Sequence, residues 1–234
     1  MSTLTLVRHG QAHPFRRESA ALTRTGEAQA AKLAQFWLRS GVRFDEVQSG
    51  TLARQVRTEE VVAGCFRAAG EPWPAATRDR AWNEYDATGV MQHLVAGDTR
   101  LSALAEAYEQ ARGSPEEGRA FQRMFEAAMT CWLEGDAEID GVESWRAFRS
   151  RVSGAIQGLM AGPPGRRIAV FTSGGPIGFA VHHAVQAPAR NFLDMNWRVR
   201  NSSFTNFLFD RSRLTLDSFN SIPHLDEASL WTYR

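Results

Sequence analysis

Lysine is almost absent from this chain of 234 residues, since Lys32 is the only lysine among its 27 basic residues. A catalytic lysine, whether it forms a Schiff base or binds phosphate in a P-loop, would therefore have to be Lys32. That residue lies in a mixed polar and apolar pattern typical of a helix, and no glycine-rich loop precedes it. The sequence therefore argues against both kinds of lysine chemistry.

Cysteine, excess charge and long apolar runs are lacking as well. Cys65 and Cys131 are the only cysteines and form no CxxC pattern, so we expect no disulfide framework or zinc site, and a cytoplasmic location. A net charge of +1 gives no indication of a nucleic-acid partner. No apolar run is long enough to span a bilayer, and the N-terminus does not resemble a signal peptide. No membrane partner is expected.

Short apolar strands alternate with helical patterns along the chain. Strands are predicted at 3–7, 44–48, 167–172, 203–209 and 214–219, and helices at 24–39, 52–69, 143–160 and around 177–185. This alternation predicts a single domain, residues 1–234, with a three-layer α/β/α sandwich and a mostly parallel sheet. The alanine-rich stretch from about 84 to 140 is predicted to be a helical insertion over the active-site end of that sheet.

Polar residues that can carry chemistry follow two of the predicted strands. Arg8 and His9 come directly after the first strand, and Ser173 comes directly after the strand at 167–172. In open α/β sheets, ligands bind at the carboxyl ends of the strands, so all three are expected at that end. Arginine binds phosphate bidentately, and a neutral imidazole can attack phosphorus. Taken alone, however, an Arg-His pair is more often a surface pair than a site.

Five short motifs extend this pattern along the chain. They read TLVRHGQ at 5–11, LTxxGxxQA at 22–30, SxxLxRxxxT at 49–58, WNE at 82–84 and NSS at 201–203. In this order they resemble the signature elements of the histidine phosphatase superfamily, also called the phosphoglycerate mutase-like family. The resemblance covers nearly the whole chain and is far more specific than the Arg-His-Gly triplet.

The resemblance implies a role for each residue that matches a motif. His9 would be the nucleophile that becomes phosphohistidine, and Arg8 and Arg54 would bind the phosphoryl oxygens. Glu84 would protonate the leaving oxygen of a small phosphorylated substrate. Arg57, one turn after Arg54, is expected to be structural. We expect no metal or cofactor, because the sequence has no cluster of metal ligands and the arginines already neutralise the phosphate.

The sequence departs from the family pattern after its later core strand. The family normally has a second histidine there, in a His-Gly pair, whereas this chain has Ser173 and Gly174. A hydroxyl can donate a hydrogen bond to a phosphoryl oxygen but adds no charge, and charge-assisted bonds are about twice as strong. The N–H groups of Gly174 and Gly175 are expected to bind the anion too, at the start of a helix. We therefore predict an intact phosphate pocket with slower chemistry or different substrate demands.

A phospholigand-binding pseudoenzyme is one alternative to a phosphatase. Such a protein would have kept the pocket and lost turnover, with weak activity or none. Ser173 favours this alternative, whereas His9 and Glu84 argue against it because a pure binder needs neither. The sequence does not decide between phosphatase and mutase activity, nor does it indicate the substrate or whether the chain forms a homodimer.

A second alternative is an α/β-hydrolase with Ser173 as its nucleophile. Asp194 or Asp210, followed by His224, would complete a triad in the correct chain order. The nucleophile elbow of that fold has a glycine two residues before the serine, and Phe171 stands there instead. This departure makes the hydrolase the weakest of the three hypotheses.

Overall fold

A computed structural model of the chain describes residues 1–13, 21–135 and 141–233. These residues form two compact units. The first comprises Met1–Glu84 with Arg151–Arg234, and the second comprises Tyr85–Ser150. Residues 136–140, where the predicted insertion ends, lie outside the described part of the chain.

A mixed sheet of six strands forms the centre of the first unit as far as it is described. The strands are β1 (Ser2–Arg8), β2 (Glu46–Ser49), β3 (Thr77–Arg78), β4 (Arg167–Thr172), β5 (Phe204–Phe209) and β6 (Leu214–Ser221). Their order in the sheet is β3-β2-β4-β1-β5-β6. The first four in this order run parallel, while β5 and β6 pair antiparallel at one edge. The predicted α/β fold with a mostly parallel sheet is confirmed.

Eight α-helices occur in the described residues. They are α1 (Arg24–Arg39), α2 (Ala53–Ala68), α3 (Ala87–Gly97), α4 (Thr99–Ala111), α5 (Glu117–Glu134), α6 (Trp145–Ala161), α7 (Gly174–Val185) and α8 (Asn191–Arg198). The second unit contains α3, α4, α5 and the beginning of α6. In residues 1–13, 21–135 and 141–233, no helix has a stretch both long and apolar enough to cross a membrane.

The bounds of α1 agree with the prediction because its beginning is encoded locally. The side chain of Thr23 accepts a hydrogen bond of 3.1 Å from the N–H of Gly26, which satisfies one of the free donors of the first turn. Leu33 and Trp37, one turn apart, are both buried on the inner face of the helix. Such a cap together with helical spacing of apolar residues fixes where a helix begins and which side it buries.

The middle of the sheet is covered on both faces. In β4, alternate side chains point to opposite faces, and Ala169 and Phe171 are as fully buried as Ile168 and Val170. Ala169 and Phe171 join a core with Trp37 and with apolar residues of α2. A strand buried on both faces is typical of a parallel sheet between helical layers. The carboxyl end of β4 therefore lies in a well-packed part of the molecule.

One strand and one α-helix of the described residues have no counterpart in the sequence prediction. The strand Thr77–Arg78 is two residues long and exposed, and only its pairing with β2 defines it. The helix Asn191–Arg198 begins without a side-chain cap, although Phe192 and Leu193 are buried. The strand carries no local signal that distinguishes it from a loop, whereas the buried Phe192, Leu193 and Asn196 of the helix follow a helical spacing.

Candidate active site

The predicted catalytic segment lies where β1 and β4 end side by side. These strands are parallel and pair from Thr3 with Arg167 to Arg8 with Thr172. The N–H of His9 continues the ladder with a 2.9 Å hydrogen bond to the carbonyl of Thr172. This register brings the backbone of His9 beside that of Ser173, so residues that are far apart in sequence meet at the same edge of the sheet.

The imidazole of His9 is held in one orientation. Its Nδ1 lies 2.7 Å from the carbonyl oxygen of Gly10, which can only accept a hydrogen bond. The proton of the neutral ring therefore belongs on Nδ1, and Nε2 carries the lone pair. The Nε–H of Arg54 donates to that Nε2 atom over 3.1 Å. The site thus presents an oriented nitrogen lone pair next to a cation.

The surroundings of His9 keep its ring neutral. Burial, and then the positive charges of Arg54 and Arg8, lower the pKa of His9 well below its ordinary value, whereas the Gly10 carbonyl opposes this shift. Only 7% of the residue is exposed. A neutral imidazole is the form that can act as a nucleophile, so the electrostatics favour that chemistry.

The two predicted phosphate-binding arginines are both in electrostatic contact with His9. Arg54 lies in the first turn of α2, where helix N–H groups also favour an anion. Burial lowers the pKa of Arg54, and the negative charge of Glu84 raises it. A guanidinium of Arg8 donates to the carbonyl of Val199, which fixes its direction. Arg57 instead forms exposed ion pairs with Glu27 of α1, at 2.8 Å, and with Glu60 of α2.

Glu84 lies at the N-terminus of α7. The N–H of Gly175 donates to both of its carboxylate oxygens, at 3.1 Å and 3.0 Å. A negative charge is favourable there because the N–H groups of a first helical turn have no carbonyl partner within the helix. Of the two glycine N–H groups expected to face phosphate, that of Gly175 is therefore bonded to Glu84. Gly174 is the first residue of α7 and is buried beside it.

Ser173 is completely buried, and its hydroxyl accepts a hydrogen bond from a neutral amide. The amide Nε2 of Gln55 donates to its Oγ over 2.9 Å. The same Nε2 donates to the carbonyl of Trp82 over 3.0 Å, and the hydroxyl of Thr172 donates to that carbonyl over 2.6 Å. The end of β4, the first turn of α2 and the segment before Glu84 are thereby joined by buried polar groups.

Thr58 links the loop that carries His9 and Gly10 to α2. Its hydroxyl accepts from the N–H of Gly10 over 3.0 Å and donates to the carbonyl of Arg54 over 2.7 Å. This one side chain therefore holds the backbone next to His9 and the backbone of Arg54 at a fixed spacing. The sequence motif contains Thr58 but does not itself reveal this role.

Asn201 and Ser202 hold the carbonyl of His9 from the other side. The amide of Asn201 donates to it over 3.2 Å, and the N–H of Ser202 donates over the same distance. Ser202 has a φ of 61°, a left-handed conformation that is uncommon for a residue other than glycine. Strain of this kind, on the order of 1–3 kcal/mol, persists where the surroundings dictate it. Its position next to the loop that carries His9 supports a functional constraint.

Sequence reasoning missed Gln55 altogether. Its position between Arg54 and Arg57 resembles a solvated helix face, yet the residue is completely buried. The signal that could have found it is Ser173, because a small buried side chain at the end of β4 leaves space for another polar side chain.

The contacts of a hydrolase triad are not present in the described residues. His224 places its Nε2 3.1 Å from the hydroxyl of Ser202, not that of Ser173. Burial lowers the pKa of His224 to about 4, and its ring stacks on Phe204. These surroundings are those of a buried structural histidine.

No group of three or more histidine, cysteine, aspartate or glutamate side chains that could hold a metal ion occurs in residues 1–13, 21–135 and 141–233. Among the described residues, the guanidinium groups of Arg54 and Arg8 supply positive charge next to His9.

The sequence matches the family model of the histidine phosphatase superfamily (branch 1) over residues 4–222. The chain belongs to this family. Membership supports an activity of the phosphatase or mutase type. A search of curated proteins finds no match.

Solved structures with the same fold agree with this assignment. A phosphoserine phosphatase mutant from Entamoeba histolytica is 19% identical, with a TM-score of 0.64 over 96% of this chain and 100% of its own. Phosphoglycerate mutase from Bacillus anthracis is 17% identical, with a TM-score of 0.64 over 96% and 95%. The alpha-ribazole phosphatase from Shigella flexneri is 20% identical, with a TM-score of 0.61 over 94% and 96%. At these identities the likeness establishes the fold alone.

Proposed function

We propose that this protein is a phosphatase that hydrolyses a small phosphate ester through a phosphohistidine intermediate on His9. The observation that carries the proposal is the state of that ring. Its Nδ1 faces the Gly10 carbonyl, and its Nε2 lone pair faces Arg54. Burial and two cations keep it neutral, which is the form a phosphoryl transfer requires of its nucleophile.

In the first step, the lone pair of His9 Nε2 attacks phosphorus while the bond from phosphorus to the ester oxygen breaks. Arg8 and Arg54 balance the negative charge on the phosphoryl oxygens. Glu84, in its protonated form, gives its proton to the departing oxygen, so the leaving group is a neutral alcohol. A bound phosphate next to Glu84 favours that protonated form, since like charges repel each other.

In the second step, water attacks the phosphohistidine and the bond between nitrogen and phosphorus breaks. The Glu84 carboxylate takes the proton of that water, which restores the acid for the next cycle. Inorganic phosphate leaves, and His9 is neutral again. A mutase would instead return the phosphoryl group to a second hydroxyl, and no residue described here requires that outcome.

The names of structurally similar proteins support a small substrate. They include phosphatases of phosphoserine and alpha-ribazole phosphate and a mutase of phosphoglycerate, all of which handle phosphate esters of small molecules. We extend this class of substrate to the present chain. We also propose a cytoplasmic enzyme without a nucleic-acid or membrane partner, which the even charge balance and two free thiols support.

A pseudoenzyme that binds a phosphorylated ligand is the second candidate, and Ser173 is the observation that favours it. A neutral hydroxyl at this position offers less stabilisation to the transition state than a charged donor. Binding of the ground state, however, would still be supplied by Arg8 and Arg54. The two candidates therefore differ in turnover and not in affinity.

The decisive experiment is a panel of phosphate esters assayed for release of inorganic phosphate, with His9→Ala alongside. Denaturation in alkaline detergent after brief exposure to a ³²P-labelled ester should trap labelled phosphohistidine in the native protein and none in the variant, since the nitrogen–phosphorus bond survives alkali but is hydrolysed in acid. Undiminished turnover by His9→Ala would end the phosphohistidine model. Tight phosphate binding without turnover or labelling would leave the pseudoenzyme as the better description.

A further inference from the structure

The side chain of Gln55 has its orientation fixed by its neighbours. Its Nε2 faces the carbonyl of Trp82 at 3.0 Å, and its Oε1 accepts from the N–H of Leu52 at 3.2 Å. A carbonyl only accepts and an N–H only donates, so a flipped amide would lose both bonds. Because Gln55 is completely buried, water cannot replace them. The group that faces Ser173 is therefore an N–H donor.

A hydroxyl that accepts from Gln55 must direct its own proton elsewhere. The carbonyl of Trp82 has no lone pair left for it, since Gln55 and Thr172 both donate there. Within the described residues, the Oγ of Ser173 donates to no other acceptor. Its proton is thus a buried donor, preset in direction, at the carboxyl end of β4 where His9 also lies.

We propose that Gln55 is a positioning residue, which holds the Ser173 hydroxyl so that its proton is donated to the phosphoryl group bound at His9. This inference rests on the proposed function, because it requires a phosphoryl oxygen as the acceptor. The pair provides a neutral donor where the family pattern has a histidine. A donor that is already aimed needs no reorganisation during the reaction, which is what makes such groups effective.

Without Gln55, the hydroxyl would no longer be restrained. A Gln55→Met variant of similar length removes the N–H that occupies a lone pair of the Ser173 hydroxyl. The hydroxyl can then turn away from the phosphoryl group. Gln55 should therefore act only through Ser173, which makes a double-mutant cycle the appropriate test.

The cycle compares the native protein with Gln55→Met, Ser173→Ala and the double variant. The readouts are kcat/KM for the best ester of the panel and the Kd of inorganic phosphate, measured by calorimetry. Gln157→Met is a matched control, since Gln157 donates to the hydroxyl of Ser153 on the surface of α6. Thermal unfolding identifies variants whose fold has suffered.

We expect Gln55→Met to lower kcat/KM about tenfold, less than the 10²–10³ for complete loss of a transition-state donor. In the Ser173→Ala background the same change should lower it less than about twofold, because the hydroxyl it orients is gone. The affinity for phosphate should also fall more in the native background than in Ser173→Ala, by smaller factors than kcat/KM. Gln157→Met should have the kcat/KM and phosphate affinity of the native protein.

Equal losses in both backgrounds would overturn the inference, because Gln55 would then act independently of Ser173. Native behaviour of Gln55→Met would overturn it as well. In both cases an inactive His9→Ala variant would leave the proposed function intact. If the native protein neither bound phosphate nor hydrolysed any ester, the proposed function would fail, and the inference with it.

A second measurement avoids changing Gln55. In ¹⁵N-labelled protein, the side-chain amide signals of Gln55 report on its hydrogen bond to Ser173. Titration with inorganic phosphate should shift one of these signals in the native protein and much less in Ser173→Ala. Equal shifts in the two proteins would contradict the inference even if Gln55→Met failed to fold.

Discussion

The guanidinium Nε of Arg54 lies 3.1 Å from Nε2 of His9, on the side of the ring that carries the lone pair. Under the proposed function, a phosphoryl group would enter between the two residues, and Arg54 would then donate to the phosphoryl oxygens. In the structure as it stands, the positive charge of Arg54 helps to lower the pKa of His9.

Arg54→Ala should lower kcat/KM by about 10²–10³, as expected when a charged donor to the transition state is removed. It should also raise the pKa of His9, because a positive charge that lowers it disappears. Activity assays and an NMR titration of His9 measure the two effects. Arg57→Ala is the control, since Arg57 lies one turn further on in exposed ion pairs, which contribute little. Equal effects of the two changes would remove Arg54 from the phosphate site.

Glu84→Gln should have an effect that depends on the leaving group. General acids contribute about 10²–10⁴ to the rate when the leaving oxygen is a poor one, such as that of an alkyl phosphate. For p-nitrophenyl phosphate, whose leaving oxygen needs little protonation, the loss should be far smaller. Glu60→Gln, a change on the exposed face of α2, serves as the control. A uniform loss with both esters would show that Glu84 has another role.

Ser173→His should not restore a faster enzyme by itself. Ser173 is completely buried with Gln55 at 2.9 Å, so an imidazole has no space without displacing that amide. Overpacking of this kind typically costs about 1–3 kcal/mol of stability. We expect a lower melting temperature and lower turnover in the single variant, and recovery of both in Gln55→Ala/Ser173→His. Higher activity in Ser173→His alone would show that the pocket is roomier than the contacts indicate.

The stability of the fold should fall on the acid side because of His224. Burial lowers the pKa of this residue from 6.5 to about 4, so the unfolded chain binds its proton first as the pH falls. This contribution is fully present above about pH 6.5 and decreases as the pH falls to about 4, on the order of 3 kcal/mol in total. Urea unfolding at several pH values measures it. His224→Gln should reduce the pH dependence over this window, while the part due to His9, whose pKa burial lowers as well, remains. An unchanged slope would contradict the assignment.

Gly50→Ala should damage the site through Gln55. A Cβ atom at Gly50 would lie 2.0 Å from Oε1 of the buried Gln55 and 2.8 Å from Oδ1 of Asn83, so both side chains must move. We expect a loss of stability of about 1–3 kcal/mol together with lower activity. Gly158→Ala is the matched control, since α6 leaves open space there and alanine favours a helix by about 0.5–1 kcal/mol. A variant of Gly50 as stable and active as the native protein would argue against a tight approach.

The sequence allowed the regular elements of the sheet unit to be predicted well, because their signals are local. The cap at Thr23 and the apolar run of β4 place α1 and β4 at their observed bounds. The two-residue strand at Thr77 has no such signal, since its identity depends on pairing with a distant strand. Local patterns therefore identify elements, while pairing partners define the shortest ones.

The candidate site shows the same division. Motif spacing brought Arg8, His9 and Arg54 together, and the structure has them in electrostatic contact. The position of the Gly175 N–H against Glu84 was not predictable, because it depends on how the loop after β3 meets α7. Gln55 was missed for a similar reason. The helical pattern predicts a solvent-exposed side chain at this position, whereas a tertiary contact with Ser173 buries it.

The bond between Gln55 and Ser173 also constrains how such a site can evolve. If position 173 first changes to histidine, the larger ring clashes with the buried side-chain amide of Gln55. If the glutamine is lost first, the N–H of Leu52 loses its partner and the serine loses its direction. Each substitution alone is expected to lower stability or activity. The effect of one therefore depends on the residue at the other position, which is epistasis. Descendants of this chain are therefore expected to keep the pair or to exchange both members together.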